Sequence, residues 1–425
     1  MAVDKAIDSA KLDSALTATA DAIREKSGES GAIVWDGESG FAEAIGGIET
    51  GGGFVPLEEK DVNFYDYDGT LLYSYTLDEL QALTELPPNA SHDGLVGQGW
   101  NWSLEGLKEN NGPLDVAALY ITEDEATWFD LENDLGRDVE VTFLWKQYSA
   151  NGARIDFGDG SDVHTDPAAS GDLSVKHTYR PGKYRAKISG GYNLRGTATS
   201  CCVNDIAAGG SSILRRVYFG FGGYLYAYSF LNCIRLETIT LCDGLGFSGG
   251  QIFSSCARLK FCYTSNRVDV SGVSSDVFNN VRRARIMSFG ESMTLTYNAP
   301  SDIERGIFAR KLSLNNAGFA YNYVIDRIVI TEATTLLTQR FIQSCFSLRE
   351  LTIPAQVETI NAYAFNGTSS LRRLRFERET PPSIANANAF TNFPTDCIVE
   401  VPAASLAAYQ TATNYATIAA QMVGV

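Results

Sequence analysis

From residue 208 to the C-terminus, apolar positions recur in a fixed frame: a large residue is followed at +6, +9 and +11 by further apolar residues, at a period close to 23. The units read Phe230, Leu236, Ile239, Leu241; Phe253, Leu259, Cys262; Phe278, Ala284, Met287, Phe289; Phe319, Ile325, Ile328, Ile330; Ile342, Leu348, Leu351, Ile353; and Phe365, Leu371, Leu374, Phe376. An earlier unit fits Leu214, Val217 and Phe219, and a last one Phe390, Val399 and Val401. Between Phe278 and Phe319 the spacing stretches to 41, and the frame is continued by a degenerate unit at Ile303 with Leu312 and Leu314. A repeat this short cannot bury its apolar face alone, so the units are expected to stack into a solenoid, each adding one parallel strand.

Upstream the period changes. Leu12, Leu16, Ala20 and Ile23 share one face of a helix over residues 10–27 that Gly28 ends, and Phe41, Ile45 and Ile48 mark a second short helix before Gly51-Gly52-Gly53. Two helices with one apolar stripe each are too little to fold alone; residues 1–50 read as an attachment segment that needs copies of itself or another protein. Residues 63–75 read as an aromatic-rich hairpin joined at Asp68-Gly69, a favoured type I′ pair. Helical patterns near 77–83 and 103–109 complete a small α+β domain over 54–122. Val139, Val141, Phe143 and Trp145 then alternate with Glu140, Thr142 and Leu144, and residues 123–192 read as an all-β sandwich. The expected fold class is multidomain and mainly β: helical segment, small α+β domain, immunoglobulin-like sandwich, and a repeat solenoid over 200–425.

Charge divides the chain. Residues 201–425 hold 19 Lys plus Arg against 16 Asp plus Glu, a net of +3, which leaves −20 of the total −17 for residues 1–200. The repeat half uses Arg, with Lys only at Lys260 and Lys311. Arg suits bidentate contact with carboxylate or phosphate, so an anionic partner is one reading and a solvated surface the other. The overall acidity argues against a nucleic-acid partner. No stretch approaches 18 consecutive apolar residues and the start lacks the pattern of a signal peptide, so neither a membrane span nor a secretion address is expected. The eight cysteines all follow position 200 without a CxxC pair. Cys262 occupies an inward repeat position, so core filling is the expected role.

Three stretches resemble known families. Ile155-Asp-Phe-Gly-Asp-Gly-Ser and His177-Thr-Tyr-Arg-Pro-Gly-Lys-Tyr resemble the two signature turns of the polycystic-kidney-disease (PKD) type immunoglobulin-like domain, which implies a spacer or presenter of binding modules. Pro381-Pro382-Ser-Ile384, Ala389-Phe390 and Val401-Pro402-Ala-Ala-Ser-Leu-Ala-Ala-Tyr409 resemble the BspA-like leucine-rich repeats and their C-terminal cap, a family of bacterial surfaces and phage tails that is associated with adhesion and carries no catalytic residues. The stretch from Asp8-Ser-Ala-Lys-Leu-Asp through Ala22-Ile-Arg-Glu-Lys-Ser-Gly to Gly40-Phe-Ala-Glu-Ala-Ile is similar to the leader of tail and minor structural proteins in phages and prophages of Gram-positive gut bacteria. That likeness implies a virion tail protein, made in the bacterial cytoplasm, whose N-terminus meets tail or baseplate proteins.

One segment imitates an enzyme. Asp66-Tyr-Asp68-Gly-Thr70 matches the D-x-D-G-T nucleophile loop of haloacid-dehalogenase phosphatases, and Gly158-Asp159-Gly-Ser-Asp162 passes for their magnesium-binding loop. Those enzymes place both loops on one parallel αβ sheet, whereas residues 123–190 read as consecutive strands, so a hairpin turn is the expected role and no enzyme is expected. His92, His164 and His177 are dispersed, no Gly-x-x-x-x-Gly-Lys loop is present, and neither a cofactor nor a metal is expected.

If +9 and +11 point inward, strand alternation sends +8 and +10 outward, where stacking aligns them in columns. Those columns hold Arg216 and Tyr218, Phe261 and Tyr263, Lys311, Arg327, and Arg373 and Arg375. Such a ladder suits sugars and anionic polymers, by aromatic stacking and paired hydrogen bonds; β propensity and solubility explain the same residues equally well. Tyr224, Tyr226 and Tyr228 add alternating tyrosines that a core alone does not need. The expected function is host-surface recognition, of a polysaccharide or protein receptor, by a phage or prophage tail protein. A bacterial surface adhesin is the alternative, and a phosphatase at Asp66 the enzyme alternative.

Overall fold

The computed structural model describes residues 57–425 apart from 111, 148–151, 167–170, 191, 208, 266–276, 279–280, 282–283, 292–295, 298–304, 308–312, 315–318 and 331–333. The helical segment expected over 1–50 lies outside the described residues. Glu59–Val425 form one compact unit.

Its first part is a four-stranded sheet with two short helices: β1 (Val62–Tyr65), β2 (Leu71–Tyr75), α1 (Leu77–Ala82), β3 (Leu95–Trp100), α2 (Leu104–Glu109) and β4 (Leu114–Thr122), in the order β2-β1-β4-β3. The hairpin is there, but its turn is not the expected two-residue type. Asp66 and Thr70 close a three-residue loop, with the Gly69 amide donating to the Asp66 carbonyl at 3.0 Å. Gly69 takes φ +88°, and Asp68 Oδ1 accepts the Thr70 amide at 2.9 Å. A left-handed third loop residue needs Gly, and the Asp68 acceptor fixes the turn before it. All of β4 except Ile121 is buried, the mark of a strand covered on both faces.

Two facing sheets follow. One joins β5 (Thr127–Asn133) to β10 (Gly182–Gly190), β7 (Ala153–Asp156) and β8 (His164–Thr165); the other pairs β6 (Val139–Gln147) with β9 (Gly171–Tyr179), β11 (Tyr192–Leu194) and β12 (Val203–Asn204). Phe143 of β6 packs within 5.9–6.4 Å, ring to ring, of Phe129, Phe157 and Tyr179, which joins the two inner faces. The first sheet does not end at the sandwich. β13 (Leu214–Tyr218), the first strand of the repeats, pairs antiparallel with β5 and parallel with Thr238–Thr240, so one six-stranded sheet runs from sandwich into solenoid.

Ladder strands then begin at residues 238, 261, 286, 305, 327, 350, 373, 398 and 422, close to the period the sequence predicts. Phe residues at the heads of neighbouring units stack inside the solenoid: Phe230 on Phe253 and Phe253 on Phe278, each at 5.5 Å, and Phe365 on Phe390 at 5.1 Å. Two residues past each head, Asn232, Ser255, Tyr321, Ser344, Gly367 and Asn392 adopt positive φ. That turn aims backbone amides at the next unit: Phe230 N donates to Ile252 O, Phe319 N to Phe341 O, and Ile342 N to Ala364 O. Successive repeats are therefore joined at the turn as well as along the strands. A short helix, α3 (Leu406–Thr411), closes the end, and the final ladder strand, Met422–Gly424, pairs with Ile398–Val401 before it. Tyr409 and Tyr415 fill the cap, their hydroxyls donating to the carbonyls of Arg378 and Pro382.

One unit differs from the sequence frame. In the degenerate unit before Phe319 the ladder strand is Arg305–Ile307, parallel to Arg327–Val329, while Ser313–Leu314 belongs to a separate short ladder with Thr296–Tyr297. The inward residue of the true strand is Gly306, and a Cβ there would lie 2.6 Å from the Phe319 ring. Phe319 occupies the space a larger residue fills elsewhere, which hides the unit from an apolar-residue frame.

The strand face of the repeats as candidate functional site

The outward ladder is divided by the small α+β sheet. Residues of that sheet and its flanking loops lie across the ends of successive repeat strands: Thr122 N donates to Phe219 O, Tyr120 N to Leu241 O, Asn101 Nδ2 to Thr264 O and Trp102 Nε1 to Phe289 O, at 2.7–3.1 Å. Phe261 and Tyr263 do leave the solenoid core as strand alternation requires, but they are buried under this cover rather than solvated. The Phe261 ring lies 5.9 Å from that of Tyr65, and the Tyr263 hydroxyl donates to Ile239 O at 3.0 Å. Burial pushes that hydroxyl well above its ordinary pKa. Tyr218 is buried as well, against Trp128 of the sandwich and Tyr67 of the hairpin. Arg216 is exposed at this junction. The expectation of a solvated aromatic ladder therefore fails at Tyr218, Phe261 and Tyr263, because a neighbouring module supplies the apolar partner they needed.

Beyond Arg305 the face opens. Arg305 itself, which the sequence frame missed, is buried and its Nε lies 3.0 Å from Asp115 Oδ2 of β4. Its remaining nitrogens reach Asp115 Oδ1, Glu59 and the Tyr65 hydroxyl. Burial opposes the Arg305 charge, but Asp115, with Tyr65 and Glu59, more than offsets this and holds the guanidinium above its ordinary pKa. Arg327 is half-buried, 3.6 Å from Glu59. Arg373 and Arg375 are exposed; Arg373 Nε binds Glu400 at 2.7 Å, whereas the Arg375 side chain has no hydrogen bond or ion pair among the described residues. Lys311 lies outside the described residues.

Between the strands Arg327–Val329 and Glu350–Ile353 no backbone ladder forms among the described residues. A groove of about 1020 Å³ runs there, walled by Arg327, Arg349, Glu350, Thr352 and Glu377, with Gly112 and Pro113 at one side. Arg349 is exposed and, like Arg375, its side chain has no partner among the described residues. Exposed Arg and Glu side by side offer two-point donors and acceptors to a polar ligand.

The enzyme-like segment takes a different role. Asp66 is buried, 2.7 Å from His92 Nε2, and its Oδ1 accepts the Tyr67 amide. Asp159 sits instead in the sandwich, bonded to Ser161 and to His177 Nε2 at 2.7 Å. The two acidic loops thus belong to different sheets and do not share partners. No cluster of three or more His, Cys, Asp or Glu suited to a metal occurs among the described residues. The two turn motifs quoted from the sandwich do meet: Phe157 stacks on His177 at 4.0 Å, and the Tyr179 hydroxyl donates to Phe157 O. All eight cysteines are buried thiols.

With this geometry in place, the repeats can be classed. Residues 223–299 and 309–395 match the BspA type leucine rich repeat region, in six copies. The C-terminal part of this mainly β chain is therefore a β-solenoid of BspA-type leucine-rich repeats. No curated protein matches the chain.

Proposed function

We propose that this chain is a surface-recognition protein that contacts its receptor through the open strand face between Arg327 and Arg375. One observation carries the reading: among the described residues the α+β sheet covers the early ladder and leaves this stretch open, with two exposed guanidinium groups, Arg349 and Arg375, that have no partner there. An Arg held out on a rigid ladder without a carboxylate suits an anionic or hydroxyl-rich ligand such as a surface polysaccharide.

In its finer form the proposal is a phage or prophage tail protein, attached to tail or baseplate proteins through residues 1–50, with a PKD-like sandwich behind the recognition head. The leader-like N-terminal sequence and the order of modules support it. The BspA-type repeats, which recur in surface adhesion, favour a second reading as a cell-surface adhesin. Neither reading needs a catalytic residue, a cofactor or a metal.

The test is sedimentation of the full chain with isolated Gram-positive cell walls, alongside Arg349→Glu and Arg375→Glu. Saturable, salt-sensitive binding that the variants lose supports the proposal; binding that survives both variants assigns recognition to another surface. Immunogold labelling separates the two forms: label on particle tails supports the first, label on cell envelopes the second.

A further inference from the structure

Two exposed aromatic rings meet on the turn edge of the solenoid, four residues past the heads of successive units. Tyr323 follows Phe319 and Phe346 follows Ile342. Their rings stack at 5.3 Å with planes 8° apart, yet Tyr323 stays 50 % and Phe346 45 % exposed. Backbone bonds between units fix this stack: Tyr321 N donates to Gln343 O at 2.8 Å and Ser344 N to Asn366 O at 2.9 Å. The Ser347 hydroxyl adds a bond to Tyr323 O at 2.7 Å.

The stack stops one unit later. In the Phe365 unit the equivalent residue is Ser369, which is exposed and has no ring. One face of Phe346 therefore packs on Tyr323, and the other looks across Ser369 into a gap one repeat wide, about 4.8 Å. A ring entering that gap continues the column.

Charge differs on the two sides of Phe346. Three residues past Tyr323, Phe346 and Ser369 stand Asp326, Arg349 and Arg372, all exposed. Arg372 Nη1 donates to Ser369 O at 2.9 Å, and its Nε lies 3.2 Å from Asp396, which places the guanidinium at the rim of the gap. Arg372 N donates to Arg349 O at 2.7 Å, so the two Arg residues are neighbours, and the Arg349 side chain has no partner among the described residues. The open face of Phe346 thus lies on the side of the two guanidinium groups, and the acid lies on the side already filled by Tyr323.

We infer that this gap seats one pyranose ring of a uronic-acid glycan, with the ring on Phe346 and its carboxylate at Arg349. The electron-rich face of an aromatic ring attracts the C–H groups on a pyranose face. A guanidinium holds a carboxylate by paired hydrogen bonds. An aromatic side chain from a protein partner fills the same gap but offers nothing to Arg349 or to the Ser369 hydroxyl. The inference rests on the surface-recognition reading and names the ligand class that Arg349 serves in it.

Calorimetric titration of the full chain with a β-1,4-linked glucuronate tetramer, and with cellotetraose as its uncharged counterpart, tests the assignment. The expected result is saturable binding of the uronate, with cellotetraose at least about tenfold weaker. Phe346→Ala removes the platform and Ser369→Phe fills the gap with the protein's own ring; each is expected to weaken binding at least about tenfold, whereas Phe346→Tyr stays within about threefold of the parent. All three changes fall at exposed positions, so circular dichroism is expected to be unchanged. No saturable binding of the uronate up to about 10 mM overturns the inference, as does equal affinity for both tetramers or undiminished affinity in both Phe346→Ala and Ser369→Phe. Sedimentation with cell walls separates the two readings: a chain that binds walls without binding the uronate overturns this inference alone, and a chain that binds neither overturns both.

Discussion

The Arg305 guanidinium meets the Asp115 carboxylate at two points across 190 residues of chain, inside the seam between the repeats and the small α+β sheet. Asn63 Nδ2 lies 3.4 Å from the same carboxylate and the Tyr65 hydroxyl 2.8 Å from the guanidinium, so the pair is hydrogen-bonded on both sides. It marks where the covered ladder ends and the open ladder begins.

Removing one partner leaves the other charge buried without compensation, so Arg305→Met is expected to destabilise the unit by about 3–5 kcal/mol. A double variant, Arg305→Met with Asp115→Leu, is expected to recover much of that loss. Urea unfolding of both reads the difference; a single variant as stable as the parent removes the pair from the account of this seam.

Gly306 stands where Phe319 already fills the interior. Gly306→Ala is expected to cost about 1–3 kcal/mol by overpacking. Adding Phe319→Leu makes room, so the two changes are expected to combine less than additively. Strict additivity in a thermal or urea cycle shows that the two sites do not share this space.

Asp159 gives the sandwich a pH-dependent turn. Burial raises its carboxyl, but hydrogen bonds from Ser161 and His177 outweigh this and bring the pKa to about 2. A depressed carboxyl stabilises the fold above its unfolded value, near 4, and that stabilisation disappears as pH falls through the folded one. The Tm gap between the parent and Asp159→Asn is therefore expected to be full above about pH 5 and to close towards pH 2. A gap that persists at low pH points to a packing effect of the substitution.

Burial pushes the Cys233 and Cys256 thiols well above their ordinary range, and Cys242, Cys345 and Cys397 up to about 12. The thiolate is the reacting form, so iodoacetamide at pH 8 is expected to leave these five unmodified in the native protein and to label them in denaturant. Mass spectrometry reads this directly. Rapid native labelling contradicts the buried placement.

Much of the repeat region was legible in the sequence, because stacking forces one residue type into each inward position. Phe230, Phe253 and Phe278 announce a column, and the structure stacks them. Cys262 at an inward position is buried as its frame required. The frame failed at Gly306, where a ring from another unit does the filling, and it therefore overlooked Arg305. The candidate face was half legible. Strand alternation gave Arg373 and Arg375 their outward direction, but no local pattern separates an outward aromatic that meets water from one that meets another module.

The sequence by itself determined the period, the inward apolar positions, the hairpin and the capped C-terminal end, since these follow from contacts between residues near in the chain or one repeat apart. The tertiary structure alone decided which side of each outward position would be covered. β4 lies across the ends of the early strands, and β5 extends their sheet through β13. Those contacts join residues far apart in the chain through backbone groups, the side chains of Asn101 and Trp102 and the buried Arg305–Asp115 pair, which leave no periodic signature. They bury Phe261 and Tyr263 and leave Arg349 and Arg375 in solvent.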